Sequence, residues 1–215
     1  FATGRSLGGA ETLLKNLALR ALAAGRNVEF LTTCAVDHFT WANELPAGVR
    51  QEEGLAVSRF PVDPRDVRSF LAVQEDISRG RPVTPEEERL WLANSVNSSE
   101  LCRYLGENLG RFDRLVMGPY LFGLIHAAAG LSPEKTVLIP CLHDEPYAYL
   151  RIIRDLFLSA AAVFFNSAAE LALARRIMPL DPAKARVVGM GIAGPPRMAP
   201  EEFRRKHGID FPYLL

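Results

Sequence analysis

Apolar residues recur at helical spacing in the first part of the chain. Between Ala10 and Ala24 they follow the i, i+3, i+4 pattern of one helix face, and Gly25 supplies a terminating residue. Asn27–Thr33, which follows, is rich in aromatic and β-branched residues and has the length of a strand. A second short strand is predicted over Leu55–Phe60, and Cys34–Pro46 between the two strands is predicted to be a loop.

Residues 65–110 predict helices with a less regular pattern. Thr84–Glu87 is a strong helix start, with a capping threonine, proline at the first helical position and glutamate three residues after the cap. Ser98 or Ser99 is predicted to open another helix. This stretch therefore predicts a helical layer between two regions that contain strands.

From residue 113 onward, short apolar segments alternate regularly with helices. The predicted strands are Leu115–Met117, Thr136–Pro140, Ala162–Asn166 and Arg186–Gly189. The predicted helices are Tyr120–Ala129 (ended by Gly130), Tyr147–Ser159, and one that Ser167 and Glu170 cap and that runs to Ile177. Apolar strands separated by helices are typical of a parallel sheet covered by helices on both faces, which is an α/β fold.

The last segment departs from this alternation. Gly194–Pro200 is predicted to be a stiff linker, Glu201–His207 a short helix, and Asp210–Leu215 the start of a strand. We therefore expect a second domain beyond Leu215. The predicted organisation is one α/β domain over residues 1–193, followed by a linker and the start of a further domain over residues 194–215.

Composition narrows the class of protein. The 215 residues are 48% hydrophobic, enough for a full core in one large domain, and 25 basic residues balance 25 acidic ones. The absence of net charge argues against a nucleic-acid partner. Three well-separated cysteines, Cys34, Cys102 and Cys141, fit a reduced, cytoplasmic protein and lack the spacing of a metal site. The longest nearly apolar run, Leu156–Phe165, is too short to span a bilayer.

Glycines precede the first predicted helix, in the run Gly4–Glu11. Gly8 and Gly9 let the backbone turn and let a ligand approach its N–H groups, and the positive end of the helix dipole lies beside them. Such an end binds anions, most often phosphate, although an ordinary glycine-rich turn explains the same residues. Ala10-Glu11 replaces the Lys-Ser/Thr of a nucleotide-hydrolysing phosphate loop, and the dinucleotide-binding spacing is absent as well.

Two further loops carry candidate binding or catalytic residues. Asp37, His38 and Trp41 lie close together in the first predicted loop, where two titratable groups beside an indole could bind a polar ligand or form an ordinary surface loop. The loop Cys141–Pro146 follows a predicted buried strand and contains His143, Asp144 and Glu145. Ligands of parallel α/β folds bind at the carboxyl ends of the strands, where this loop is expected.

The ordered set of motifs resembles the amino-terminal half of a GT-B glycosyltransferase, specifically glycosyltransferase family 4. The motifs are Gly8-Gly9-Ala10-Glu11, Phe165-Asn166-Ser167-Ala168-Ala169-Glu170, Val187-Val188-Gly189-Met190-Gly191-Ile192 and Phe203-Arg204-Arg205-Lys206-His207-Gly208-Ile209. They span nearly the whole chain in the expected order. The resemblance implies that residues 1–193 form a Rossmann-like, acceptor-side domain.

The resemblance also implies a reaction, namely sugar transfer from a nucleotide-sugar donor with retention at the anomeric carbon and without a bound metal or cofactor. Gly8 and Gly9 would approach the donor diphosphate across the cleft. His143 would hydrogen-bond the acceptor or the transferred sugar, and Asp144 and Glu145 would orient an acceptor hydroxyl or accept its proton. Their alternative role is helix capping before Pro146. Of the first loop, His38 and Trp41 are the expected contacts to the acceptor.

This chain departs from the family pattern in two ways. The family's first strand, just before the glycine motif, is absent from the given residues, and so is the donor-binding second domain. We therefore expect the fragment alone to be inactive. The acceptor is expected to be a glycan, a lipid-linked molecule or a small molecule. Peripheral membrane contact stays an alternative, although the neutral charge offers no support for it.

Two other functions fit the same sequence. A sugar-nucleotide epimerase shares the two-domain architecture, but it needs a pair of acid/base carboxylates, for which only Asp144 and Glu145 are obvious candidates. The other is a non-catalytic domain that binds an acceptor or another protein, and such a domain does not need a pair of catalytic carboxylates.

Overall fold

The computed structural model describes residues 8–191 and 199–212, and these residues alternate between helices and strands. The helices are α1 (Gly9–Ala23), α2 (Val67–Ser78), α3 (Pro85–Ala93), α4 (Ser99–Asn108), α5 (Gly123–Leu131), α6 (Arg151–Ser159), α7 (Ala168–Ile177) and α8 (Pro200–His207). The strands are β1 (Glu29–Thr33), β2 (Gly48–Glu52), β3 (Leu55–Phe60), β4 (Leu115–Met117), β5 (Thr136–Leu138), β6 (Ala162–Phe165) and β7 (Ala185–Val187).

Strands β4 to β7 form a four-stranded parallel sheet in the order β4-β5-β6-β7. β4, β5 and β6 are each followed along the chain by a helical segment that returns to the amino end of the sheet, as parallel pairing requires. The predicted α/β fold is therefore confirmed, with a Rossmann-like parallel sheet flanked by helices. All four strands of this sheet lie where the apolar segments predict them, within two residues at either end.

A second, three-stranded sheet has the order β1-β3-β2. β1 and β3 are parallel, as expected, whereas β2 pairs antiparallel with β3. The sequence did not predict β2, because its residues are mostly exposed and lack a hydrophobic pattern. Glu53 and Gly54 join β2 to β3, both with positive φ, which is the conformation of a two-residue hairpin turn.

The main hydrophobic core lies between the parallel sheet and the helices that cover it. Leu138 of β5, Phe165 of β6, and Ile153 and Phe157 of α6 are fully buried there. A smaller cluster of Leu105, Leu115 and Ala128 joins α4, β4 and α5, and Leu31 of β1 packs against it. Burial is complete at β5, where Thr136, Val137 and Leu138 are all buried, whereas the outer strands β4 and β7 are partly exposed.

Three of the predicted helix starts, those of α3, α4 and α7, are confirmed by their caps. In α3, Glu87 N donates to Thr84 Oγ1 (3.2 Å) and Thr84 N donates to Glu87 Oε2 (2.7 Å), which is the reciprocal capping box. Ser98 rather than Ser99 caps α4, since its Oγ accepts from Leu101 N. The amino end of α7 is capped as predicted, with Glu170 N donating to Ser167 Oγ at 3.1 Å.

The helix predicted over Tyr120–Ala129 begins and ends elsewhere. α5 starts at Gly123, and Tyr120 lies fully buried in the preceding loop, because its ring packs edge-on against Phe157 in the core. Gly130 does not end the helix but lies within α5. Apolar spacing does not distinguish a buried aromatic loop residue from one on a helix, so the prediction placed the start three residues early.

A buried carboxylate connects α3 to the start of α6. Glu88 is 6% exposed, and its two carboxylate oxygens accept from Arg151 N (3.1 Å) and Ile152 N (2.8 Å). Leu150, the residue at the N-cap position of α6, contributes no side-chain hydrogen bond. Glu88 therefore satisfies N–H groups that a helix start leaves unpaired, and its charge lies at the positive end of the helix dipole.

The carboxy-terminal helix predicted over Glu201–His207 is confirmed as α8, which Gly208 ends with a left-handed conformation. The predicted domain boundary at 193/194, most of the predicted linker and Tyr213–Leu215 lie outside the described residues. Within residues 8–191 and 199–212, the helices fall short of the length and apolarity that crossing a bilayer would take.

The two glycines of α5 give a matched test of the packing. A Cβ at Gly123 would collide with the carbonyl oxygen of Leu92 and the side chain of Asn97, whereas a Cβ at Gly130 would meet nothing. We expect Gly123→Ala to destabilise the protein by about 2 kcal/mol or more. Gly130→Ala should stabilise it by roughly 0.4–1 kcal/mol, since alanine favours the helix. Urea unfolding measures both changes, and a stable Gly123→Ala variant would contradict the packing.

Removal of the Glu88 carboxylate is expected to be costly. Glu88→Ala removes a buried carboxylate and leaves the first N–H groups of α6 without their partner in a partly buried place, so we expect a loss of about 2–4 kcal/mol in the free energy of unfolding. Glu86→Ala on the same helix is the control, because Glu86 only pairs with Arg89 at the surface and should cost well under about 1 kcal/mol. Equal effects of the two variants in urea unfolding would show that Glu88 is not a cap.

Candidate functional site

The candidate site lies at the carboxyl edge of the parallel sheet, where the loops after β4, β5 and β6 meet. Asn166, just after β6, donates through Nδ2 to Cys141 Sγ after β5 at 3.5 Å. The first turn of α1 lies near this edge, because Glu11 lines a cavity together with Gly118 and Pro119, which follow β4. The start of α1 and the loops after β4 to β6 therefore lie on the same side of the parallel sheet.

The amino end of α1 is open to solvent. Gly8 occupies the N-cap position, and since it has no side chain, it provides no capping hydrogen bond. A Cβ at Gly9 would have no other atom within 4 Å, so the fold itself does not require glycine there. The segment Gly4–Leu7, which completes the predicted phosphate-binding run, lies outside the described residues.

One acidic side chain lies directly over this helix end. The Glu11 carboxylate contacts the position that a Cβ on Gly8 would occupy. Glu11 is the third residue of α1, so its negative charge lies beside the positive end of the helix dipole. The helix end thus already attracts a carboxylate of its own chain, which is the kind of group that an anion-binding helix start favours.

His143 lies in the exposed loop between β5 and the 3₁₀ turn Pro146–Tyr149. Its carbonyl oxygen accepts from Glu145 N at 3.0 Å, which folds the loop back on itself. Cys141 at the start of this loop has φ +54°, a left-handed conformation that is uncommon for a residue other than glycine. The imidazole of His143 is therefore available to a ligand at the carboxyl edge.

Asp144 and Glu145 both have partners within the chain. Asp144 accepts from Tyr149 Oη (2.7 Å) and from Arg176 Nη2 (2.5 Å). These contacts lower the pKa of Asp144, the Tyr149 hydrogen bond most and then Arg176. A lowered pKa makes Asp144 a weaker proton acceptor.

Glu145 accepts from the hydroxyl of the fully buried Tyr120 at 2.6 Å. Burial raises the pKa of Tyr120, and the hydrogen bond to Glu145 raises it further, so the phenol stays protonated and continues to donate. Pro146 begins the helical turn as predicted, but Glu145, at its N-cap, makes no capping hydrogen bond. Pro146 therefore begins a helical turn, as the capping alternative expects, but the Glu145 side chain does not cap that turn.

The two residues expected to contact the acceptor lie in different surroundings. His38 is on the surface, with its ring 3.9 Å from that of Phe39, which is 78% exposed. Trp41 is only 8% exposed and packs edge-on against Phe122 at 5.1 Å. Asn43 holds this loop in place, because its side chain exchanges two hydrogen bonds with the backbone of Val62.

Asn166 is a candidate that was not among the site residues predicted from the sequence. Its Oδ1 is buried and has no hydrogen-bond partner among the described residues, although its Nδ2 is paired. Buried polar atoms without a partner are rare in folded proteins, so this one is marked as a potential ligand contact. Asn166 lies within the Phe165–Glu170 motif, but the capping role of Ser167 explained that motif without a role for Asn166.

The cysteines behave as packing residues. All three are free, and burial raises the pKa of each thiol. A raised pKa lowers the fraction of reactive thiolate at neutral pH. Among residues 8–191 and 199–212, no group of three or more His, Cys, Asp or Glu side chains could hold a metal ion.

The pairing of Asp144 can be tested by titration. Since the folded-state pKa is lowered, the pair contributes stability above the unfolded pKa and loses it as the pH falls through the folded one. We expect Arg176→Gln to raise the pKa of Asp144 towards its ordinary value, measured by NMR of the carboxyl carbon. Arg175→Gln, a neighbouring exposed position, should leave it unchanged. Equal titration midpoints in both variants would exclude the ion pair.

Comparison with known proteins leaves the family undecided. No protein-family model matches this chain, and the search of curated proteins finds no significant match either. The resemblance to glycosyltransferase family 4 therefore depends on the motifs alone.

Proposed function

We propose that this chain is the acceptor-side half of a retaining glycosyltransferase that uses a nucleotide-sugar donor. The observation that carries the proposal is the exposed amino end of α1, where the N-cap residue makes no side-chain hydrogen bond, on the same side of the sheet as the exposed imidazole of His143. The first feature suits a diphosphate, and the second suits a sugar or acceptor hydroxyl. If a donor is bound between them, α1 contacts its diphosphate and the loop with His143 contacts its sugar.

The donor diphosphate lies against Gly8 and Gly9 in this proposal. The N–H groups of the first turn of α1 donate to its oxygens, and the glycines leave room for its approach. The Glu11 carboxylate must move aside, because two negative charges cannot share the helix end at low cost. Most of the donor would be bound by a second domain.

The reacting sugar lies near the loop after β5. His143 donates a hydrogen bond to the acceptor or to the transferred sugar. Asp144 and Glu145 position the loop through Arg176 and Tyr120 rather than accept a proton, because each carboxylate already accepts hydrogen bonds from the chain. His38 is the proposed contact to a glycan, lipid-linked or small-molecule acceptor, and Trp41 supports its loop from the core.

The experiment that tests the proposal is nucleotide release by the complete protein. A panel of nucleotide-sugars is supplied with and without mixed glycan and lipid-linked acceptors, and the free nucleoside diphosphate is measured. Release that depends on the acceptor supports a transferase. Epimerised sugar-nucleotide without acceptor would support an epimerase, and acceptor binding that is indifferent to every donor would support a non-catalytic domain.

Gly9 is the position at which added bulk should affect the donor alone. Gly9→Val leaves the fold intact, because the space around a Cβ there is empty, and it obstructs the diphosphate. We expect donor KM to rise by about tenfold or more, the equivalent of one lost charge-assisted hydrogen bond. Gly106→Val in α4 is the control for bulk at another open glycine. Unchanged donor KM in Gly9→Val would remove the helix end from the donor site.

His143 should affect turnover more than donor binding. His143→Ala removes an exposed ring that lies outside the core, so we expect stability to stay the same and kcat to fall by about 10²-fold or more. Donor KM should change little, because the diphosphate contacts lie on α1. His207→Ala on α8 is the control for loss of a surface imidazole. If kcat is unaltered in His143→Ala, the chemistry lies away from this loop.

A further inference from the structure

A second cleft lies beside the candidate loop, between the connection from α2 to α3 and the 3₁₀ turn Pro146–Tyr149. Residues 80–83 line one wall, and residues 144–146 with Tyr149 line the other. This space, here called the α2–α3 cleft, has a cavity volume of about 540 Å³, within the roughly 300–1,000 Å³ typical of ligand pockets. The proposed function leaves it unassigned.

An exposed aromatic ring forms part of the wall. Tyr149 is 57% exposed, and its hydroxyl donates to Asp144 Oδ1 at 2.7 Å and accepts from Arg176 Nη2 at 3.3 Å. The two contacts hold the ring in place, so a ligand does not have to immobilise it on binding. The face of an aromatic ring carries partial negative charge, which attracts the partly positive C–H groups on the flat side of a sugar ring.

Polar groups of opposite hydrogen-bonding character lie on the two walls. Arg81 uses one guanidinium nitrogen for Asp76 at 2.6 Å, and more than half of its side chain is exposed. Glu145 uses Oε1 for the Tyr120 hydroxyl, which leaves Oε2 as an acceptor for a ligand. A guanidinium only donates and a carboxylate only accepts, whereas a sugar hydroxyl does both. A polyhydroxyl ligand can therefore hydrogen-bond to both walls at once.

The charges in the α2–α3 cleft disfavour an ionic ligand. Among the described residues that line it, the carboxylates of Glu88, Asp144 and Glu145 outnumber the guanidinium of Arg81. A phosphate or a carboxylate would add to this negative charge. An ammonium group would lie beside the like charge of Arg81 and could not use its N–H donors. A neutral ligand has neither cost.

We propose that the α2–α3 cleft binds a neutral carbohydrate, with one sugar ring stacked on Tyr149 and its hydroxyls paired with Arg81 and Glu145. This binding goes beyond the proposed function and does not depend on it. In the proposed transferase, the cleft holds the sugar units of a glycan acceptor that lie next to the reacting unit, because Asp144 directly follows His143 in the chain. That acceptor role alone rests on the proposed function.

Glycan binding by the complete protein in the absence of a donor is the first test. An array presents neutral, acidic and amine-bearing oligosaccharides, and the tightest neutral binder is then titrated while backbone amide shifts are followed by NMR. We expect neutral glycans to bind, with the largest shifts at residues 80–83 and 144–150. Binding confined to acidic or amine-bearing glycans, shifts located elsewhere, or an array without any binder would overturn the proposal.

Two variants of Tyr149 separate its ring from its hydroxyl. Both Tyr149→Ala and Tyr149→Phe lose the hydrogen bond to Asp144, so any change in the loop is common to them. Only Tyr149→Ala loses the ring face, and we expect it to weaken glycan binding at least about tenfold, against less than about threefold for Tyr149→Phe. Phe211→Ala, which removes a ring of equal exposure elsewhere, is the control. Equal losses in the two Tyr149 variants would exclude stacking on the ring and overturn the proposal.

Two neighbouring arginines provide a second matched pair. Arg81 pairs with Asp76 and Arg79 with Glu75, both at the surface, but only Arg81 is among the residues that line the α2–α3 cleft. We expect Arg81→Ala to weaken glycan binding about fivefold or more, the effect of one lost hydrogen bond to a charged group. Arg79→Ala should leave the affinity unchanged. Equal affinities of the two variants would contradict a sugar hydroxyl at Arg81.

Kinetics distinguish failure of the α2–α3 cleft from failure of the proposed function. In a transferase that uses the cleft, Arg81→Ala raises the acceptor KM about fivefold or more and leaves the donor KM unchanged, because the diphosphate contacts lie on α1. Transfer with an unchanged acceptor KM would overturn the acceptor role. Glycan binding without any release of nucleotide would contradict the proposed function and would still support the carbohydrate site.

Discussion

The buried carboxylate of Glu88 is the constraint on which the rest of the parallel half depends. It holds the start of α6, and α6 in turn places Ile153 and Phe157 in the centre of the core. A charge at 6% exposure is tolerated because two backbone N–H groups and a helix dipole compensate its lost hydration. The 3₁₀ turn that ends the candidate loop runs directly into α6. The position of His143 therefore depends on a contact made by a different layer of the molecule.

Most of the fold could be predicted because its signals are local. The strands of the parallel sheet are short apolar runs, and the side-chain oxygens of Thr84, Ser98 and Ser167 each accept from the backbone N–H three residues later. β2 could not be predicted, since an exposed edge strand needs no hydrophobic pattern and its pairing with β3 is a tertiary property. The start of α5 was misplaced for a related reason. The local sequence around a buried tyrosine does not show whether that tyrosine belongs to a loop or to a helix.

The position of the candidate site could likewise be predicted from the sequence, but its electrostatic contacts could not. Its place at the carboxyl edge follows from strand order, and the exposed loop with His143 follows from the break between a strand and Pro146. Its electrostatics could not be predicted. Tyr120 and Glu145 are 25 residues apart in sequence, and Asp144 and Arg176 are 32 apart, so the partners of both carboxylates appear only when the sheet brings the loops together. The unpaired oxygen of Asn166 is likewise a property of burial and not of sequence pattern.

The exposed strand β2 has a consequence for how the protein behaves in concentrated solution. With 25 basic and 25 acidic residues, copies of the chain do not repel one another over long distances. An open strand edge on such a protein invites pairing between molecules, unless the edge itself discourages it. β2 carries Arg50 and Gln51 exposed, and it is short and ends in a tight turn. The exposed polar residues that made β2 difficult to predict thus also protect the outer edge of its sheet against aggregation.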